Sequence, residues 1–252
     1  RPASVFALTL LTRPSMNRMT APLCALFLLA AGAVAAPAYA NMSVHPMRLA
    51  VHDARGGQIR VHSQSTRVQY VQLRVQRLLD PATPDEREVD VAPGELEGIA
   101  VTPGKFVLAG GGNRLVRVIP LAAVDEEAAY RVYFEGVRPP SEIGTGDEAE
   151  ESSANIGVNL IWGALVHLIP AQPVADMRVD GNTLHNTGNV RLGVTEIQAC
   201  DAQNQCTAHT IDHSVYPGVR FPLPFDTAGK TLTVTYRLSY ASYEDRQHVL
   251  MP

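Results

Sequence analysis

The sequence predicts an all-β protein built from two β-sandwiches, and three observations carry that prediction. Period-two alternation of apolar and polar residues recurs every 8 to 14 residues along the chain, while helical periodicity is hard to find. Clusters of Gly, Pro, Asn and Asp separate the alternating stretches, the spacing of a sandwich. Two prolines, Pro170 and Pro173, bracket a short linker with alternating segments on both sides, which places a domain boundary there.

The first 40 of the 252 residues read as a leader. Met16-Asn-Arg-Met19 is a short basic start, Leu23 to Ala36 an apolar segment, and Ala38-Tyr-Ala40 a small-residue cleavage site before Asn41. Residues 1–15 read as upstream sequence. A retained membrane anchor is the alternative, and the apolar run is short for one. The leader carries three arginines and no acid, so its removal moves the formal net charge from -4 to -7 and leaves 212 residues. With 46% hydrophobic and 18% charged residues overall, the chain can bury a core, which excludes wholesale disorder. An acidic domain with only two lysines, Lys105 and Lys230, lacks the basic patch that nucleic acid requires. Cys200 and Cys206 enclose Asp-Ala-Gln-Asn-Gln. A lone C-x5-C pair supplies too few ligands for a zinc site and suits a hairpin closed by a disulfide in an oxidising compartment.

Strands follow in order. Gln58–His62 alternates Ile59 and Val61 with polar neighbours. Val71, Leu73 and Val75 alternate with Gln72, Arg74 and Gln76, while Val68 and Tyr70 have the opposite parity, which predicts a bulge near Tyr70. Further strands are expected at Ile99–Val101, Phe106–Leu108, Arg114–Ile119 and Tyr130–Glu135, with an acidic, turn-rich stretch at 81–98 and a turn at 109–113. Residues 139–154, with five carboxylates and no bulky side chain after Ile143, have the composition of a mobile segment. It leads into Asn155–Ile169, which reads as one strand of up to fifteen residues, about three times the usual length. Beyond the prolines, strands are expected at Ala175–Val179, Thr183–His185, Leu192–Ala199, Thr207–Ile211, Val219–Pro222 and Thr231–Ser239.

The sequence offers no catalytic constellation. Eight histidines follow residue 40, but none forms an H-E-x-x-H pair, and His209 and His213 lie in a strand-to-loop region where they are not expected to share a face as they would on a helix. There is no G-x-S-x-G elbow, and Gly110–Gly112 reads as a hairpin turn rather than a phosphate cradle. Acidic clusters such as Asp85-Glu86 and Asp125-Glu126-Glu127 read as solvated loop charges. The expectation is a protein that is not an enzyme and that needs no metal, cofactor or small-molecule substrate.

A series of short motifs runs along the first domain: Val44-His-Pro-Met-Arg48-Leu, Val101-Thr-Pro-Gly-Lys-Phe-Val-Leu108, Gly112, Val116-Arg-Val-Ile119 and Glu127-Ala-Ala-Tyr-Arg-Val-Tyr-Phe134, followed by the acidic segment, the long strand and a proline. In this order and spacing the chain resembles the periplasmic chaperones of the chaperone-usher pilus pathway, over residues 41–170 and, by length and strand content, over 171–252. Gly163 in the long strand and the short second domain suggest the alternate-type branch. The resemblance implies two immunoglobulin-like sandwiches in a boomerang arrangement, residence in the periplasm, fimbrial (pilin) subunits as cargo and an outer-membrane usher as the next partner. It further implies that the long strand is lent to a pilin that lacks one strand, with Ile156, Val158 and Leu160 inserted in its core. The family's basic anchor for the pilin's C-terminal carboxylate falls on Arg48. The second anchor, a lysine in the family, falls on Leu165, so His167 on the same face is the candidate substitute, or another arginine acts with Arg48.

Blander readings stand beside these. Ile156, Val158 and Leu160 could face this domain's own core, Glu127 and Arg131 could be an ordinary ion pair, and Trp162 reads as core. A different class of function, an exported structural or adhesive sandwich module, has the same architecture.

Overall fold

The computed structural model describes residues 42–52, 55–91, 97–137 and 160–251. The expected leader, the acidic segment, and Ile156 and Val158 therefore lie outside the described residues. Seventeen strands and no α-helix are found among those described. In chain order they are β1 (Met42–His45), β2 (Arg48–His52), β3 (Gly57–Ser63), β4 (Gln69–Leu79), β5 (Arg87–Asp90), β6 (Ile99–Thr102), β7 (Lys105–Leu108), β8 (Asn113–Pro120), β9 (Ala128–Val137) and β10 (Ile161–Ile169), then β11 (Met177–Asp180), β12 (Thr183–Asn186), β13 (Leu192–Cys200), β14 (Cys206–Val215), β15 (Arg220–Pro222), β16 (Thr231–Arg237) and β17 (Asp245–Leu250).

They make two β-sandwiches. In the first, the sheet β1-β3-β8-β6 faces the sheet β2-β10-β9-β4-β5, to which β7 adds through β4. Alternation decides what goes inside. Ile59 and Val61 of β3 and Val116 and Val118 of β8 are fully buried, and Val71, Val132, Phe134, Val166 and Leu168 meet them from the other sheet. In the second, β11-β12-β15 faces β14-β13-β16-β17, around Leu184, Leu192, Ile197, Val234 and Leu238. Full burial of each such side chain contributes about 1.5–3 kcal/mol, so the two clusters account for most of what holds each sandwich together.

The expected disulfide is present. Cys200 and Cys206 are opposed in register across β13 and β14 and are bonded to each other. The five-residue turn between them is shaped by Asp201, whose Oδ1 accepts the N–H groups of Gln203 (3.0 Å) and Gln205 (2.8 Å), with Asn204 in the left-handed region at φ 64.

Several local expectations are corrected. No bulge occurs near Tyr70, since β4 pairs with β9 in unbroken register from Tyr70 to Leu78. Val68, just before β4, is exposed. The shift of register lies instead between Val194 and Glu196 in β13. The stretch at 81–98 is not all turn, because β5 lies within it. The described part of the long strand is nine residues, Ile161–Ile169, and not fifteen. Finally, His209 and His213 do share a face, because four residues is an even number of steps on a strand. His209 stacks on Phe225 (3.9 Å) and His213 on Phe221 (4.3 Å).

Candidate functional site

The strand β10 carries two environments along its length. On one side β9 pairs with it from Ile161 to Leu168. On the other, β2 runs parallel to it only from Leu165 onward, beginning with Leu165 opposite Arg48. The N–H of Leu165 donates to the carbonyl of Met47 at 2.9 Å on that side. Backbone N–H directions alternate along a strand, so the N–H groups of Gly163 and Ile161 leave on the same side, where no described strand follows. This half of β10 is an open edge, with the exposed backbone groups that invite pairing by another chain.

The side chains at that edge fit the backbone. Ala164, Val166 and Leu168 point into the first core, and Trp162 packs against it. Leu160 has the same parity, yet it is 45% exposed, and neighbouring Ile161 is 46% exposed. The strand thus continues past the end of its own core, and Leu160 does not take the bland role of a core residue.

The open edge ends in a basic cleft. Leu165 sits in register between Arg48 on β2 and Arg131 on β9, so two guanidiniums flank the position where the sequence lacks a cation. The Arg48 guanidinium lies over the Tyr243 ring at 5.9 Å and lines a cavity of about 140 Å³ together with Arg131, Arg191, Leu165 and Tyr216. Arg191, from the second sandwich, donates to the hydroxyls of Ser214 (3.0 Å) and Ser239 (3.3 Å). Arg131 is bound by Glu88 at 2.5 Å, with Glu86 at 4.0 Å. Burial alone would lower its guanidinium; the Tyr133 hydroxyl and the Glu88 carboxylate outweigh that and hold it above its ordinary value. Gly163 is part of the same arrangement, because a Cβ there would stand 3.1 Å from the Arg131 side chain and from the Tyr133 ring.

Beneath the cleft lies a buried polar cluster that corrects two expectations. Glu127 is no solvated loop charge: its side chain is fully buried. Its Oε2 accepts the N–H of Arg191 at 2.8 Å and its Oε1 accepts the Ser239 hydroxyl at 2.9 Å, both from the second sandwich. His167 is 1% exposed and its Nδ1 lies 2.8 Å from Glu127 Oε1. The imidazole is therefore enclosed and committed to Glu127, and it cannot present itself to a guest carboxylate as Arg48 can. Glu127 and Arg131 are not a pair, since Arg131 bonds Glu88. Leu78, Ala129 and Tyr216 close an apolar contact beside the cluster, with the Tyr216 ring stacked 6.4 Å from His167. Burial pushes the Tyr216 hydroxyl up, so it stays neutral.

Sequence reasoning missed Arg131, Arg191 and Tyr243 as cleft residues. A signal for Arg131 exists: 127, 129, 131 and 133 share one face of β9 by period two, and Arg131 is the cation on that face. Arg191 and Tyr243 come from another domain, and no spacing rule connects them to Arg48.

No family model matches the chain. It is 32% identical over 193 residues to a CS1 fimbrial protein of Escherichia coli, covering 73% of this chain and 80% of that one. Among solved structures it matches the class 5 fimbriae chaperone CfaA with a TM-score of 0.72 at 25% identity, covering 84% of this chain and all of that one. A second structure, of a chaperone and tip adhesin complex in CFA/I fimbriae biogenesis, matches with a TM-score of 0.69 at 25% identity over the same shares. With two sandwiches, an open half-strand and an arginine cleft in a chain so related, the protein belongs to the fimbrial chaperones of the chaperone-usher pathway, on their class 5, alternate-type side.

Proposed function

We propose that the chain holds a fimbrial subunit in the periplasm by adding the open edge of β10 to the guest's sheet, while the cleft arginines bind the guest's C-terminal carboxylate. One observation carries this reading. The open edge runs from Ile161 to Ala164 and stops at Leu165, between Arg48 and Arg131, so a guest strand laid along it brings its end to the guanidiniums. A guanidinium fork matches a carboxylate, and charge-assisted bonds of this kind are the strong ones. The pair Arg48 and Arg131 takes the place of the family's arginine and lysine, and His167 has no part in the anchor.

The same reading assigns the rest. Residues 16–40 direct export and the junction between the sandwiches falls at Pro170. Ile156, Val158 and Leu160 fill the guest's groove from the strand that continues upstream of β10, and the outer-membrane usher receives the complex. Leu160 supports the middle step, being an apolar side chain of core parity left exposed.

The test is a binding titration with one pilin prepared with a free and with an amidated C-terminus. An anchored carboxylate contributes about 1.5–3 kcal/mol, or roughly tenfold or more in affinity. Arg48→Ala should therefore weaken binding of the free form at least about tenfold and leave the amidated form unaffected, with little change in melting temperature because Arg48 is exposed. Arg48→Lys should restore part of the affinity, since a lysine keeps the charge and loses the fork. Equal affinities for all variants and both pilin forms would remove the anchor.

A further inference from the structure

A second basic feature lies on the sheet β11-β12-β15, away from the cleft. The inner face of that sheet is apolar: Val179, Leu184 and Phe221 are in register and pack on the second core. On the outer face the next row is Arg178, His185 and Arg220, each directly opposite its neighbour across three strands. Adjacent strands lie about 4.8 Å apart, so both guanidiniums reach the space over the imidazole. Arg178 and Arg220 are exposed, and neither makes an ion pair among the described residues. His185 between them is 6% exposed, and its Nε2 has no hydrogen-bond partner. Buried polar atoms are nearly always satisfied, and an orphaned one beneath two free guanidiniums is a donor set without its acceptor.

The charge balance narrows what would complete it. Loss of hydration, then Arg220 and Arg178, lower the proton affinity of His185, while Asp180 acts in the other direction. The imidazole is accordingly neutral at pH 7, and the local charge is two guanidiniums less one carboxylate, a single net positive charge. One carboxylate balances it, whereas a dianionic phosphate would be held against Asp180. The row lies on an open sheet face, where water screens a free small anion. A partner surface that covers the row removes that screening and strengthens the same bonds.

We propose that Arg178, His185 and Arg220 form a docking site for an acidic segment of a partner protein, which seats a carboxylate between the guanidiniums and takes a hydrogen bond from the imidazole. The site shares no residue with the cleft and serves a contact other than the pilin's C-terminus.

The experiment uses the full chain and four probes: a synthetic peptide alternating Glu and Ser, the same peptide with Gln for Glu, inorganic phosphate, and phosphatidylglycerol vesicles. His185 is followed by NMR through its imidazole resonance. The Glu peptide should shift that resonance saturably and raise the pH midpoint of His185, with an affinity that falls as salt is added. Arg178→Gln together with Arg220→Gln should weaken this binding about tenfold with melting temperature unchanged, and Arg48→Ala should leave it as in wild type. The proposal is overturned if His185 does not respond, if the Gln peptide binds equally, if phosphate or vesicles move His185 where the Glu peptide does not, or if Arg48→Ala abolishes the effect.

Discussion

A carboxylate withdrawn from water has to be satisfied by its surroundings, and Glu127 is satisfied across a domain boundary. Three groups lean on it: the N–H of Arg191, the Ser239 hydroxyl and the His167 ring. Glu127→Ala strips all three of their partner at once. Since each buried unpaired group costs about 1–3 kcal/mol, the loss in urea unfolding should be about 3 kcal/mol or more, and Glu127→Gln should cost distinctly less because an amide keeps part of the pattern. A Glu127→Ala protein as stable as wild type would show that the cluster contributes nothing net. This residue also marks a limit of sequence reading. Within Asp125-Glu126-Glu127 the three acids are chemically alike, and only the packing of a second domain buries the last of them. Arg48 was legible from its motif because it stands at the start of a strand in a fixed order of segments. His167 had the right face for an anchor but not the exposure, and exposure is a property of the neighbours, not of parity.

At the scale of elements, β10 matters most. Its core-facing residues and its parity follow from alternation alone, and the expected strands at 58–62, 114–119, 130–135 and 192–199 coincide with β3, β8, β9 and β13. What alternation does not give is which side of a strand is paired. That depends on β2 stopping at Arg48, a fact of topology. The false bulge at Tyr70 has a similar origin: Tyr70 and Val68 have the opposite parity because they face outward, and an outward apolar residue imitates a shift of phase. β5 was hidden by the acids and prolines around it, yet it supplies Glu88, which holds Arg131. Two measurements belong here. Leu160→Glu places a charge at a groove-filling side chain worth about 1.5–3 kcal/mol. It should leave folding intact, because Leu160 is exposed, and should abolish protection of a pilin from aggregation and proteolysis; full protection by this variant would assign Leu160 no role in capture. Replacing Cys200 and Cys206 together by Ala should lower the stability of the second sandwich by about 2 kcal/mol, the expected value for so short a closed loop. Unchanged urea midpoints would mean that the Asp201 turn alone sets the hairpin.

For the molecule as a whole, the two sandwiches divide the work. The first supplies the edge and two of the arginines, the second supplies Arg191 and Tyr243, and the Glu127 cluster fastens the walls of the cleft to each other. Because capture depends on both, loosening the cluster should weaken the anchor as well as the fold, a coupling that neither sandwich could show alone. The central claim, however, concerns the backbone of β10, and amide hydrogen exchange of the full chain, free and in complex with a pilin, tests it most directly. Trp162 and Ala164 face β9 and should be protected in both states. Ile161 and Gly163 donate to no described strand, so they should exchange fast in the free protein and become strongly protected in the complex, as strand addition requires. If Ile161 and Gly163 exchange equally fast with and without the pilin while the complex remains intact, the pilin is not held on this edge.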